Sequence, residues 1–334
     1  MKSFDLKALA TAGRQKAVEG AIVAAAGALR RGELVAIPTE TVYGLAADAT
    51  NATAVAGIYA AKGRPSFNPL IAHVSDRAMA DAHGLFDPLS ARLADAFWPG
   101  PLTLVVPKHP HSDVADIVSA GLNMLALRMP KTQATLDLIR VLGHPIAAPS
   151  ANRSGSISPT SAADVMVELG EKVSVILDNG PSPVGVESTI VLIDGDQPRL
   201  LRPGGVPRAA IEAVIGRPLA APEDGDATSE KPLAPGMLTS HYAPNASVRI
   251  DANEVRPGEA WLGFGSNAPT GLEQAAARAN LSPDGDLIEA AANLFRLLRL
   301  LDRTGATTIA VAPIPGDGLG EAIRDRLVRA AAPR

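Results

Sequence analysis

The sequence predicts an α/β protein: a mixed, twisted sheet in a first domain, and a second, smaller α/β domain behind it. Three observations predict this. Short apolar stretches that read as strands end again and again in polar loops marked by glycine or proline. Helical patterns interleave with them irregularly, which calls for a mixed sheet in place of strict βαβ repetition. The pattern then lapses once, over RPLAAPEDGDATSEKPLAPG from Arg217 to Gly236, before strands and helices resume. The expected division is 1–216, a linking segment 217–245, and 246–334. No repeat relates the two halves.

Taken in order, Arg14 to Arg30 is an Ala-rich helix whose apolar positions Val18, Ile22, Val23 and Leu29 suit a face packed on a sheet. Leu34 to Ile37 is a strand that Pro38 ends, and Thr39 to Gly44 is an exposed loop carrying two Thr hydroxyls, a carboxylate and a Tyr. Thr53 to Ala61 is a short helix with Val55, Ile58 and Tyr59 on one face, capped by Gly63 and stopped by Pro65. Its end leaves Lys62 and Arg64, which either complement the helix dipole or, held by Gly and Pro, form an anion site. Leu70 to Val74 is a strand, Pro88 to Phe97 a helix closed by Trp98-Pro99-Gly100-Pro101, and Leu102 to Val106 a strand. His109 and His111 read as solvated loop residues. Asn123 to Met129 is a strand in which alternation leaves open whether Arg128 meets water or a cleft. Thr132 to Leu142 is helical and Pro145 to Ala148 a strand, leading to the second polar loop, Ala148 to Thr160; Thr160 either caps the helix starting near Ser161 or serves a site. Strands follow at Val173 to Leu177, Ser188 to Ile193 and Arg199 to Arg202, then a helix over Pro207 to Ile215. In the second domain the strands are Ser247 to Ile250, Ala260 to Phe264 and Thr307 to Val311, and the helices Leu287 to Leu301 and Leu319 to Ala331. Ile288, Ala291, Leu294, Phe295, Leu298 and Leu301 form the face expected to pack on a parallel sheet.

Composition narrows the function. The chain has 334 residues, 46% hydrophobic and 20% charged, with a formal net charge of -4, which speaks against a general nucleic-acid surface. Aromatics at 3% are too few for base-stacking platforms, and with no cysteine there are no disulfides, thiolate chemistry or Cys zinc sites. No apolar run approaches a membrane span and Met1 to Arg14 lacks a signal core, so a cytoplasmic protein without a membrane partner is expected. GxxxxGK[ST], a strand-to-helix GxGxxG and GxSxG are all missing. What remains is a set of loop-borne hydroxyls with four cations, Lys62, Arg64, Arg128 and Arg202. If they converge, they make a pocket for a polyanion and a small polar molecule, acting by position and charge without a covalent intermediate.

The motifs PTETVYGL, KGRPxxNPLIAHV, WPGPLT, LRMP, APSANRSGxxSPT, ESTIV, LRPGG and APGMLTSHYAP, running in order from about Arg31 to Pro244, resemble the Sua5/YrdC/YciO family. The two-domain length resembles its Sua5-type members. The resemblance implies a YrdC-like twisted mixed sheet with a deep cavity and a Rossmann-like C-terminal domain. It also implies an L-threonylcarbamoyladenylate synthase, a nucleotidyltransferase. L-threonine and bicarbonate give N-carboxythreonine, which attacks the α-phosphate of ATP; the adenylate passes to partner transferase proteins for the t6A modification of tRNA, which leaves a direct tRNA contact open. Thr39, His73, Arg128, Ser150 and Ser188 are implied as threonine contacts. Lys62, Arg64, Ser66, Met124, Asn152, Thr160, Arg202, His241 and Tyr242 are implied as ATP contacts, with Lys62 and Arg64 catalytic. Mg²⁺ is implied as the counter-ion of ATP. His241-Tyr242-Ala243-Pro244 resembles a segment that folds over the nucleotide, and the residues before it depart from the family pattern at Ala234 and near Thr239. Two rival readings are an RNA- or tRNA-binding module without turnover and a carbamoyl-phosphate enzyme. The acidic balance opposes the first and the missing cysteines the second.

Overall fold

Local rules set the elements. In the computed structural model, which describes residues 1–65, 67–193, 195, 197–221, 234–235 and 240–333, Asn51 accepts from the Thr53 and Ala54 amides to start one helix. Gly63 ends that helix in the left-handed conformation at φ 62°. In chain order the elements are β1 (Lys2–Asp5), α1 (Leu6–Thr11), α2 (Gln15–Arg30), β2 (Val35–Ile37), β3 (Gly44–Asp48), α3 (Ala52–Lys62), β4 (Ile71–His73), α4 (Arg77–His83), α5 (Pro88–Phe97), β5 (Leu102–Pro107), β6 (Met124–Arg128) and α6 (Gln133–Leu142). They continue with β7 (Ile146–Ala147), α7 (Ala162–Leu169), β8 (Val175–Asp178), β9 (Thr189–Leu192), β10 (Arg199–Arg202), α8 (Arg208–Ile215), β11 (Ser247–Arg249), β12 (Ala260–Gly263), β13 (Ala277–Asn280), α9 (Leu287–Asp302), β14 (Thr308–Val311) and α10 (Leu319–Ala331).

Ten strands form one mixed sheet in the order β1-β8-β2-β3-β7-β4-β6-β5-β9-β10. The sheet contains both parallel pairs such as β4 with β6 and antiparallel ones such as β5 with β6, as the irregular interleaving predicts. One face is packed throughout, with Leu45, Ala47, Ala72, Leu104, Leu127 and Val191 in a single core under Val55, Ile58 and Leu93. The other face is divided. Over β1, β8, β2, β3 and β7 it is covered by Leu6, Ile22, Leu29, Leu138 and Ile139 from α1, α2 and α6. Over β4, β6, β5, β9 and β10 it carries only a small cluster of Ile71, Val105, Ala126, Ile190, Leu192, Leu201 and Ala234. This half-covered face is where a site can form. β11, β14, β12 and β13 make a second, wholly parallel sheet under α9, with Leu294, Phe295, Leu298 and Leu301 in its core.

Several expectations need correction. Val23 and Ile288 are 56% and 68% exposed, so each sits on the solvent side of its helix; Leu287 and Ala290 take the place given to Ile288. Ser161 caps α7 in a reciprocal capping box with Asp164, so Thr160 is not the cap. Five elements escaped the sequence pattern: β1, α1, β3, α4 and β13. β3 reads Gly-Leu-Ala-Ala-Asp, small residues with no β-branched side chain, because both of its faces are buried against neighbours. Most of the expected linker and Thr239 lie outside the described residues.

Candidate active site

Strand alternation builds the site. In β6, Arg128 lies on the same face as Ala126, and its partner in β4 is His73. Both therefore project over the half of the sheet that no helix covers, and Arg128 is buried. A register irregularity between Leu200 and Arg202 pairs Arg202 with Ile190 and brings it to the same face. Loops supply the rest. A cavity opens over this face, with about 490 Å³ of empty space when its open mouth is counted. Arg64, His73, Arg128, Ser150, Ser188, Arg202, His241 and Tyr242 all line it, together with Thr41, Val42 and Glu187. These residues come from eight separate segments and meet in one place.

Each cation is held by backbone or by a carboxylate. Arg64 donates to the Asn68 carbonyl at 3.2 Å, to Asn68 Oδ1 at 2.7 Å and to the Pro69 carbonyl at 2.9 Å. Arg128 Nη2 donates to Glu40 Oε1 at 2.6 Å and its Nε to the Gly100 carbonyl at 3.2 Å. Glu40 in turn accepts from the Lys131 amide. Arg202 wraps the Ser188 carbonyl with Nε and Nη2 and reaches Ser188 Oγ at 3.1 Å. Among the described residues, Nη1 of Arg64 and of Arg128 finds no protein partner, so both guanidinium groups keep donor capacity for a ligand. Burial lowers Arg64 to about 10 and pulls Arg202 down as well, yet both stay charged at neutral pH. His73 and His241 are pushed down to about 3, first by burial; Arg128 adds to this for His73, and Arg64, Lys62 and Arg202 for His241. Both are therefore neutral imidazoles at neutral pH. Burial alone would raise Glu187, but Arg326, Arg202 and the Ser158 hydroxyl hold it below its ordinary value.

Other expected residues lie around the cavity without lining it. Lys62 is buried and donates to the Ser150 and Asn152 carbonyls at 2.6 Å and 2.5 Å, and burial with Arg64 nearby lowers its pKa strongly. It shapes the second polar loop from behind. Thr39 Oγ1 accepts from the Thr41 and Val42 amides and bonds Thr41 Oγ1, so Thr39 closes the loop on itself while Thr41 lines the cavity. Asn152 donates to the Arg153 and Ser156 carbonyls, leaving a buried Oδ1 without a partner. Met124 packs at the edge of the small cluster on this face. The Thr160 carbonyl accepts from the Ser182 amide and its own amide donates to Asp164. Ser66 lies outside the described residues.

The strap of His241 and Tyr242 is tied down on both sides: the His241 amide donates to the Arg329 carbonyl and the Ala243 amide to the Gly155 carbonyl. Tyr242 takes a positive φ of 61°, a strained position for a bulky residue, and packing holds it there. Its ring stacks on Phe295 at 5.6 Å and lies 5.2 Å from the Arg326 guanidinium.

Residues 27–204 match the Sua5/YciO/YrdC family, described as "Telomere recombination", and residues 206–332 match "Threonylcarbamoyl-AMP synthase, C-terminal domain". The chain belongs to this family. Two relatives both called threonylcarbamoyl-AMP synthase match it over nearly its full length. The one from Bacillus subtilis is 42% identical across 94% of this chain and 93% of its own, and the one from Pyrococcus abyssi 40% identical across 95% and 96%. The crystal structure of P. abyssi Sua5 complexed with L-threonine superposes with a TM-score of 0.83 at 39% identity, covering 93% of this chain and 94% of the other. The expected fold, a mixed sheet with a smaller parallel second sheet, is that of this family. Glu187, Glu40, Thr41 and Arg326 are site features that the sequence reading did not find.

Proposed function

We propose that this member of the family is an L-threonylcarbamoyladenylate synthase. Bicarbonate and the L-threonine amine give N-carboxythreonine with loss of water, and the new carboxylate attacks the α-phosphate of ATP to release diphosphate. The convergence of three buried arginines, two serine hydroxyls and two neutral imidazoles in one cavity carries this reading, and the close likeness to a threonine-bound relative supports it.

Arg128, oriented by Glu40, offers its remaining nitrogen to the threonine carboxylate, with Ser150, Ser188 and His73 around the small substrate and Thr39 fixing the loop that closes over it. Arg64 and Arg202 face the triphosphate and stabilise charge on the departing diphosphate; with Lys62 fixing the carbonyls of the loop that carries Ser150 and Asn152, the donors are in place before the reaction starts. The neutral His73 and His241 contribute hydrogen bonds and no added positive charge. Asn152, Thr160, Ser66 and Met124 belong to the nucleotide side, and the strap of His241 and Tyr242 keeps water from a hydrolysable mixed anhydride. Residues 1–216 are the catalytic domain, 217–245 the strap and 246–334 the companion domain. Among the described residues no three His, Cys, Asp or Glu side chains gather as a metal site. Mg²⁺ enters this reading as the counter-ion of ATP. Transferase proteins that modify tRNA consume the product.

The test is diphosphate release from ATP and Mg²⁺, with L-threonine and bicarbonate added singly and together. Release that needs both supports the reading, and release indifferent to threonine overturns it.

A further inference from the structure

Arg326 is the largest fully buried side chain among the described residues, and it belongs to α10 of the second domain. Its Nε donates to Glu187 Oε2 at 2.8 Å and its Nη1 to the Pro203 carbonyl at 2.8 Å. These two partners sit on the two turns that present Ser188 and Arg202 to the cavity. The turns are already in backbone contact: a Cβ on Gly204 would stand 2.4 Å from the Glu187 carbonyl oxygen. Glu187 is the one carboxylate lining the cavity among the described residues, and its other oxygen accepts from Ser158 Oγ at 2.5 Å. Arg202, adjacent in space and of opposite charge, is the partner that Glu187 would take if it were released.

We propose that Arg326 is a positioning residue for the site in the other domain: it holds Glu187 off Arg202, so that Arg202 stays available to an anionic ligand, and it fixes the Pro203 turn beside it. The second domain thereby sets the charge balance of a cavity that it does not itself line with this residue. This rests on the reading of the cavity as a nucleotide site.

The experiment is calorimetric binding of ATP, and separately of inorganic pyrophosphate, to full-length protein. R326Q is expected to weaken both by about tenfold or more, equivalent to roughly 1.4 kcal/mol or more. The double variant R326Q/E187Q is expected to recover most of that loss, because the carboxylate that would quench Arg202 is gone. E187Q alone is expected to weaken binding less than R326Q does, because no carboxylate is left to quench Arg202. R324Q, on the same helix and paired with Asp251 at the surface, is the control that leaves both affinities unchanged. A merely structural Arg326 gives no recovery in the double variant. That result, or wild-type affinity in R326Q, overturns the proposal; a tenfold loss in E187Q overturns it even where R326Q does not fold. Wild-type protein that binds neither ligand removes the nucleotide reading and this proposal together.

Discussion

Gly204 measures how closely the site is built. A Cβ there would meet the Glu187 carbonyl oxygen, the Ser188 carbonyl carbon and the Thr189 amide nitrogen, each at 2.4 Å, and backbone cannot step aside as a flexible side chain can. Gly204→Ala is expected to cost about 1–3 kcal/mol of stability, read as a lower urea midpoint at unchanged m-value. The two buried histidines predict a pH dependence. Their folded values near 3 lie below the ordinary value of 6.5, so the unfolded chain takes up the protons first as pH falls. Their contribution is complete above about pH 6.5 and is lost as pH drops from there towards 3, by up to about 1.4 kcal/mol per pH unit for each histidine. Unfolding free energies between pH 7 and 5 should show this slope, and His241→Gln should make it shallower. An unchanged slope would contradict the buried neutral imidazole. At this scale the sequence was most readable where a motif sat on a loop, as for Arg64 and Ser150, both of which line the cavity. Glu187 and Arg326 were not readable, because an ion pair between residues 139 positions apart leaves no local signal.

Among elements, α3 does two jobs with its last turn. Gly63 ends the helix, and Lys62, instead of pointing into the cavity, ties down the carbonyls of Ser150 and Asn152 on a loop ninety residues away. Lys62→Met keeps the stem and removes those bonds, so threonine-dependent diphosphate release is expected to fall by about tenfold or more, with circular dichroism unchanged; full activity would remove Lys62 from the site's support. The helices and strands with strong periodicity were legible, including α5, β10 and α10, whose bounds the pattern gives to within a residue. β1, β3 and β13 were not: short strands of small or polar residues owe their state to neighbours in the sheet rather than to their own propensities. The placement of Arg128 stood open for a related reason. Alternation gives the face of a strand, but only the arrangement of helices over the sheet says whether that face is wet.

For the whole molecule, the second domain is part of the site's construction. Gly185 packs so closely on α9 that a Cβ would lie 2.2 Å from the Ala291 carbonyl oxygen, and Val42, Ile157, Val186 and Tyr242 join the second domain's core. Arg299 crosses the same boundary to Glu168 at 2.8 Å, to Asp164 at 3.3 Å and to the Ile157 carbonyl at 2.8 Å. Arg299→Ala would remove the cation between two largely buried carboxylates, leaving Glu168 only Arg153 at 3.5 Å and Asp164 only the Thr160 and Ser161 amides, at a cost near the lower end of about 3–5 kcal/mol. Scanning calorimetry is expected to show one transition for the wild type and two for this variant, whereas one transition at the wild-type temperature in the variant would mean that the domains are coupled elsewhere. A mixed sheet and a second domain were visible in the order of patterns along the chain; that the second domain packs against the turns behind the cavity was not, since it depends on how side chains far apart in sequence meet.

The central claim, that one cavity joins threonine, bicarbonate and ATP, is tested most directly by mass spectrometry of the products formed with carbon-labelled bicarbonate. The account predicts an adenylate carrying threonine and one labelled carbon, with diphosphate in equal amount. ADP, or an adenylate without the label, would contradict it.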